Sequence, residues 1–217
     1  MKRGLVVDLG VREYADCWEL QKRLLARRQS DSIPDTLLLV EHPDVITLGR
    51  KAGARANILD GSIPIFEIER GGDVTYHGPG QLVGYPIFRL DDDERDLHAY
   101  LRNLEAGLIE VCGAFELAAG RKPGLTGVWL GEKKVASIGI AVRRWVTLHG
   151  FALNVSTELA RFAAINPCGL DAQVMTSLSQ AAARPISVDD VKPLAAAHLG
   201  KALGRALAPA PLGALGE

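Results

Sequence analysis

The sequence predicts a single α+β domain, with helices packed on a mixed, mostly antiparallel sheet. Three observations carry that expectation. Amphipathic helical text recurs at wide intervals, near 14–29, 97–115 and 189–205. Short apolar runs bounded by turn residues lie between these segments, and a strand meander occupies roughly 127–155. With 217 residues, 47% hydrophobic and 24% charged, the chain can bury a full core without disulfides or metals to staple it.

The elements follow in order. Trp18, Leu20, Leu24 and Leu25 fall at helical spacing between Lys22, Arg23, Arg27 and Arg28, which predicts a helix over 14–29. Ser32-Ile33-Pro34-Asp35 ends it. Thr36 to Val40 is apolar and bounded by breakers, a buried strand by its length, and Val45 to Leu48 is a second strand after the His42-Pro43-Asp44 turn. Ile65 to Glu69 alternates apolar and acidic residues. The stretch Arg70 to Pro86 is dense in glycine, so its backbone must turn sharply or approach something closely. Leu97 to Phe115 is the next helix, with Leu101, Leu104, Leu108, Ile109 and Val111 as its stripe. Gly127 to Leu130, Lys134 to Val142 and Thr147 to Val155 form the meander. Helical text resumes at Glu158 to Ala164 and from Asp189 to about Arg205. Residues 206–217 are almost all Ala, Pro, Leu and Gly, and are expected to be a flexible tail behind a domain of residues 1–205.

Charge and composition exclude several classes. Lys and Arg number 25 against 26 Asp and Glu, so no nucleic-acid partner is expected. No apolar run approaches the roughly 18 residues of a membrane span, and Asp8 interrupts the N-terminal apolar stretch too early for a secretory signal. Three cysteines without a C-x-x-C pair point to reduced thiols and a cytoplasmic location. The five histidines form no short-spaced ligand pair, so no metal is expected. No Walker loop exists, and Gly78, Gly80 and Gly84 miss the dinucleotide spacing, so no cofactor is expected either.

Candidate chemistry rests on a few side chains. Cys17 and Cys112 lie inside amphipathic helices and read as buried structural thiols. Cys168 sits between Pro167 and Gly169 in an irregular loop, where it is either a presented nucleophile or a plain loop thiol. Lys134 precedes the small, apolar strand Val135 to Val142. It is either a snorkelling surface lysine or a cation that favours a neighbouring thiolate, and Lys133 must face the opposite way. His77 and His149 each flank a glycine and serve either as a base for Cys168 or as loop braces.

Four blocks, taken together, resemble the lipoyl(octanoyl) transferase family: Arg70-Gly71-Gly72-Asp73-Val74-Thr75-Tyr76-His77 running to Gln81, Lys134 to Gly139, Leu148 to Asn154, and Pro167-Cys168-Gly169. A milder match runs from Glu41 to Arg50, so the likeness covers about residues 10–180. The resemblance implies the fold of biotin and lipoate protein ligases. It implies transfer of an octanoyl group from acyl carrier protein to a lysine of a lipoyl domain, the first step of protein lipoylation. Acceptors in the family are the lipoyl domains of 2-oxoacid dehydrogenase complexes and the glycine cleavage H protein. It further implies an acyl-thioester on Cys168 and a lysine, Lys134, that lowers the thiol pKa. The acyl pocket would be built by Arg70, Gly71, Gly72, Asp73, Val74, Thr75, Tyr76 and His77, by Ser137, Ile138 and Gly139, and by His149, Gly150, Phe151 and Ala152. Rival readings are an ATP-dependent lipoate or biotin ligase, a non-catalytic acyl or lipoyl-domain binder, and a cysteine hydrolase.

Overall fold

A computed structural model describes residues 1–167 and 172–217. The strands are β1 (Lys2–Val11), β2 (Asp35–Glu41), β3 (Val45–Leu48), β4 (Ile65–Glu67), β5 (Val74–His77), β6 (Gln81–Ile87), β7 (Ala119–Lys122), β8 (Leu125–Leu130), β9 (Lys133–Arg143), β10 (Val146–Asn154) and β11 (Arg205–Pro209). The α-helices are α1 (Tyr14–Gln29), α2 (Leu97–Gly113), α3 (Leu178–Ala181) and α4 (Val188–Ala202). Eight strands form one sheet in the order β11-β1-β2-β6-β10-β9-β8-β7, and β4-β3-β5 form a second, small sheet. In the large sheet β1 is parallel to β11 and to β2, while the pairs from β2 through β7 are antiparallel. The expected mixed, mostly antiparallel sheet packed with helices is therefore present in a single domain.

Both faces of the large sheet are covered, which is why its central strands read as continuous apolar runs. Side-chain alternation sends Leu37 and Leu39 of β2 to one face, with Leu104, Leu108 and Val111 of α2 and Val191, Ala195 and Leu199 of α4. Leu38 and Val40 go to the other face, with Leu20, Leu24 and Leu25 of α1. Asp96 starts α2 by accepting from the His98 and Ala99 backbone N–H groups, and a Ser187–Asp190 capping box starts α4.

Three expectations are corrected. Residues 206–217 are not a free tail. Ala206 to Pro209 continue a strand parallel to β1, and Leu215 is fully buried. Arg205 anchors that strand from inside, donating to Asp35 at 2.8 Å and to the Arg89 carbonyl at 2.7 Å. Backbone pairing is open to any non-proline residue, so a bland composition does not prevent it. The helix expected from Asp189 to about Arg205 ends at Ala202, and Arg205 instead begins β11, while the helical text at 158–164 folds as a 3-10 helix over Leu159–Ala164.

Candidate active site

A cavity of about 520 Å³ opens where the small sheet meets the flank of β9. Strand β8 pairs with β9 only from Leu130–Lys133 to Val128–Ala136. Beyond that point the Arg70–Gly72 turn takes its place, and the Gly71 N–H donates to the Ile140 carbonyl at 2.8 Å. The approach is close enough to demand glycine. A Cβ on Gly139 would lie 2.9 Å from the Gly71 carbonyl oxygen and 3.0 Å from Arg70 Cδ. Gly72 has φ +87°, a left-handed conformation that side chains disfavour.

Most of the residues expected at the site share this cavity. Arg70, Gly71, Gly72, Asp73, Val74, Thr75 and His77 line one side; Lys134, Ser137, Ile138 and Gly139 of β9 and His149, Gly150, Phe151 and Ala152 of β10 line the other. Tyr76 does not. Strand alternation turns it into the core with Ile46 and Phe162, and its hydroxyl donates to Asp44 at 2.6 Å. Cys168 lies outside the described residues. Its sequence neighbour Pro167 lines the cavity, and downstream Met175 bridges Lys134 in parallel.

Lys134 is 4% exposed, and its Nζ lies 5.6 Å from the centre of the Trp129 ring; neighbouring Lys133 points out to solvent and donates to the Gln173 carbonyl. The two lysines thus alternate across β9.

Of the two candidate histidines, His77 is braced by hydrogen bonds on its ring, whereas neither ring nitrogen of buried His149 has a hydrogen-bond partner among the described residues. His77 donates through Nδ1 to Gln81 Oε1 at 2.7 Å, since the Gln81 amide nitrogen is committed to the Tyr76 carbonyl and to Asn154. Burial pushes its pKa down to about 3, so it is neutral with Nε2 toward Thr47, 3.4 Å away. His149 is 2% exposed with φ +58°, and its Nε2 lies 3.5 Å from Glu69. Burial lowers its pKa, while the imidazole beside Glu69 holds that carboxyl down at about 2. His149 pairs with Ile140, six residues along β9 from Lys134, roughly 20 Å at strand rise. Arg70 is buried and donates to the Thr47 carbonyl at 2.7 Å. Burial would raise the Asp73 pKa, but hydrogen bonds from Lys51 at 2.8 Å, Asn57 and the Val74 N–H outweigh it and hold it low.

Burial pushes Cys17 up to about 11 and Cys112 up to about 12, which leaves both as inert core thiols at neutral pH. No group of His, Cys, Asp and Glu among the described residues could hold a metal ion, and no helix among them is long and apolar enough to cross a membrane.

The sequence reading missed several wall residues. Tyr14, Ile68, Val83 and Tyr85 supply apolar lining from α1, from beside β4 and from β6, and Trp129 flanks Lys134. Nothing local in α1 separates Tyr14 from an ordinary helix-start residue.

Residues 13–200 match the family model described as lipoyl protein ligase A/B catalytic domain. An octanoyltransferase of Geobacter metallireducens is 53% identical over 188 residues, covering 87% of this chain and 88% of the relative. An octanoyltransferase of Gloeobacter violaceus is 48% identical over 206 residues, covering 94% and 92%. Among solved structures, the bipartite lipoate protein ligase of Thermoplasma acidophilum superposes with TM-score 0.75 at 18% identity, covering 98% of this chain and 88% of that one. The biotin protein ligase of Aquifex aeolicus superposes with TM-score 0.55 at 14% identity, covering 94% and 70%. These structural likenesses show the lipoate and biotin ligase fold.

Proposed function

The chain belongs to the family of lipoyl protein ligase A/B catalytic domains and is an acyltransferase of the lipoyl/octanoyl type; we propose that it moves an octanoyl group from acyl carrier protein to a lysine of a lipoyl domain through a thioester on Cys168. The observation that carries this reading is the placement of the chain on both sides of Cys168. Pro167 lines the same cavity as Lys134, and Met175 pairs with Lys134 itself.

In the first half-reaction the Cys168 thiolate attacks the donor thioester carbonyl. A C–S bond forms, the donor C–S bond breaks, and the departing sulfur takes a proton from Lys134. In the second half the acceptor amine attacks the enzyme thioester. A C–N bond forms, the Cys168 C–S bond breaks, and Lys134 recovers the proton lost by the amine. Both steps stay at thioester energy until an amide forms, which is downhill, so no nucleotide is needed. The buried Lys134 cation supports the thiolate electrostatically. The neutral, braced His77 and the distant His149 are poorer candidates for that role.

The alkyl tail would lie against the apolar wall of Ile68, Val83, Tyr85 and Phe151. Burying about seven carbons at about 0.8 kcal/mol each contributes roughly 5 kcal/mol. The test is incubation with octanoyl-carrier protein and a lipoyl domain in the absence of ATP, followed by intact mass. Acylation of the domain, with an acyl-enzyme that requires Cys168, is the expected result. A requirement for ATP would make the protein a ligase, free acid without acceptor a hydrolase, and no covalent mass a binder.

A further inference from the structure

We infer that Asn154 is a positioning residue for the Cys168–Lys134 pair, acting through the backbone of Thr176. This deepens the function proposed above and rests on it. Asn154 ends β10 and is 1% exposed. Its Oδ1 accepts from Gln81 Nε2 at 2.9 Å, which fixes the amide orientation and aims Nδ2 at the Thr176 carbonyl, 2.9 Å away. The Thr176 N–H in turn donates to the Lys134 carbonyl at 2.9 Å. One residue, Thr176, is therefore held by both of its backbone groups, its carbonyl by Asn154 and its N–H by the Lys134 carbonyl. Thr176 follows the stretch that contains Cys168, so the hold ties the downstream end of that stretch to β9 at the lysine.

The upstream end has a matching tie. The Asn166 N–H donates to the Asn57 carbonyl at 2.8 Å, and the Asn57 side chain donates to Asp73 at 3.0 Å. The upstream tie leads to Asp73 and the downstream tie to Lys134, both of which line the cavity. The Asn154 branch continues through Gln81 to His77, itself a wall residue. Asn154 thus ties Thr176, downstream of the stretch that bears Cys168, to the backbone of Lys134. A thiolate senses a cation steeply over the first few ångströms, so loss of register should reach the chemistry as a change in thiol reactivity.

The experiment measures the pH dependence of Cys168 alkylation, by mapping the Cys168 peptide, in wild type, Asn154→Ala, Asn154→Leu and Lys134→Ala. Melting temperature and KM for the acceptor domain are measured in parallel. The expected wild-type midpoint lies below the free-thiol value of about 8.5. Asn154→Ala and Asn154→Leu should move it upward, part of the way to Lys134→Ala, and lower kcat about tenfold with little change in KM. A residue that only supported the fold would lower the melting temperature without moving the midpoint, and that result overturns the inference. If Lys134→Ala also leaves the midpoint unmoved, the proposed thiolate pairing fails and the inference falls with it. A variant-free check guards against misfolding. The Thr176 amide in the wild-type enzyme must be protected from hydrogen exchange as strongly as the amides of β9, and fast exchange there overturns the inference.

Discussion

Ala152 offers the sharpest test of the cavity as the acyl site. It lies on β10 opposite Ser137, is 4% exposed and lines the cavity. Ala152→Leu adds three carbons to the wall and removes room for about as many carbons of substrate. At about 0.8 kcal/mol per buried methylene, the loss is about 2.4 kcal/mol for an eight-carbon chain. That corresponds to roughly 60-fold in kcat/KM. A five-carbon donor has three carbons fewer to accommodate, so its kcat/KM should fall far less than that of the eight-carbon donor. The assay is acyl-enzyme formation from carrier-bound donors of increasing chain length, with thermal melting to correct for overpacking, which typically costs 1–3 kcal/mol. The decisive quantity is the ratio of eight-carbon to five-carbon kcat/KM, because overpacking depresses both. An unchanged ratio in a folded variant refutes the assignment of this cavity to the acyl tail.

Three further outcomes are expected. Gly72→Val forces a β-branched side chain into φ +87°, at a cost of about 1–3 kcal/mol, and should abolish turnover in whatever fraction folds; normal turnover would remove the Arg70–Gly72 turn from the site. Lys134→Ala should slow transfer by orders of magnitude while Lys133→Ala leaves it near wild type, because only the former lines the cavity; equal effects in a steady-state assay would refute the strand alternation used here. The fold should lose stability as pH falls from about 6.5 toward 4, since burial holds His42 at about 4 and His77 at about 3 while both protonate near 6.5 when unfolded. The unfolded chain therefore binds more protons across that window, and equal urea midpoints at pH about 7 and about 4.5 would contradict it.

The residues most legible in the sequence are those whose role is set by a local period. The helix at 14–29 and the strand at 45–48 have the boundaries that apolar spacing predicts, because the period of their buried positions is set within one element. Strand β1 was not anticipated, since both of its partners are parallel and therefore distant in sequence. The last strand was hidden for the same reason. Its stability comes from β1 backbone groups and from an arginine buried at Arg205, neither visible in a run of Ala, Leu and Pro.

The site shows the complementary failure. A glycine-rich block reads as a continuous binding surface, yet a strand within it presents alternate residues to opposite faces. Thr75 and His77 reach the cavity, whereas Tyr76 between them packs on Phe162. A motif therefore identifies the segment that builds a site without saying which of its side chains meet the substrate; for Tyr76 the pleat decides. The same alternation separates Lys134 from Lys133, where burial of one cation beside the cavity is the feature a thiolate could use. What holds that cation in register is a backbone matter. It depends on the Thr176 backbone and the Asn154 amide, which come together only when β10 has paired with β6, so spacing along the chain carries no trace of it.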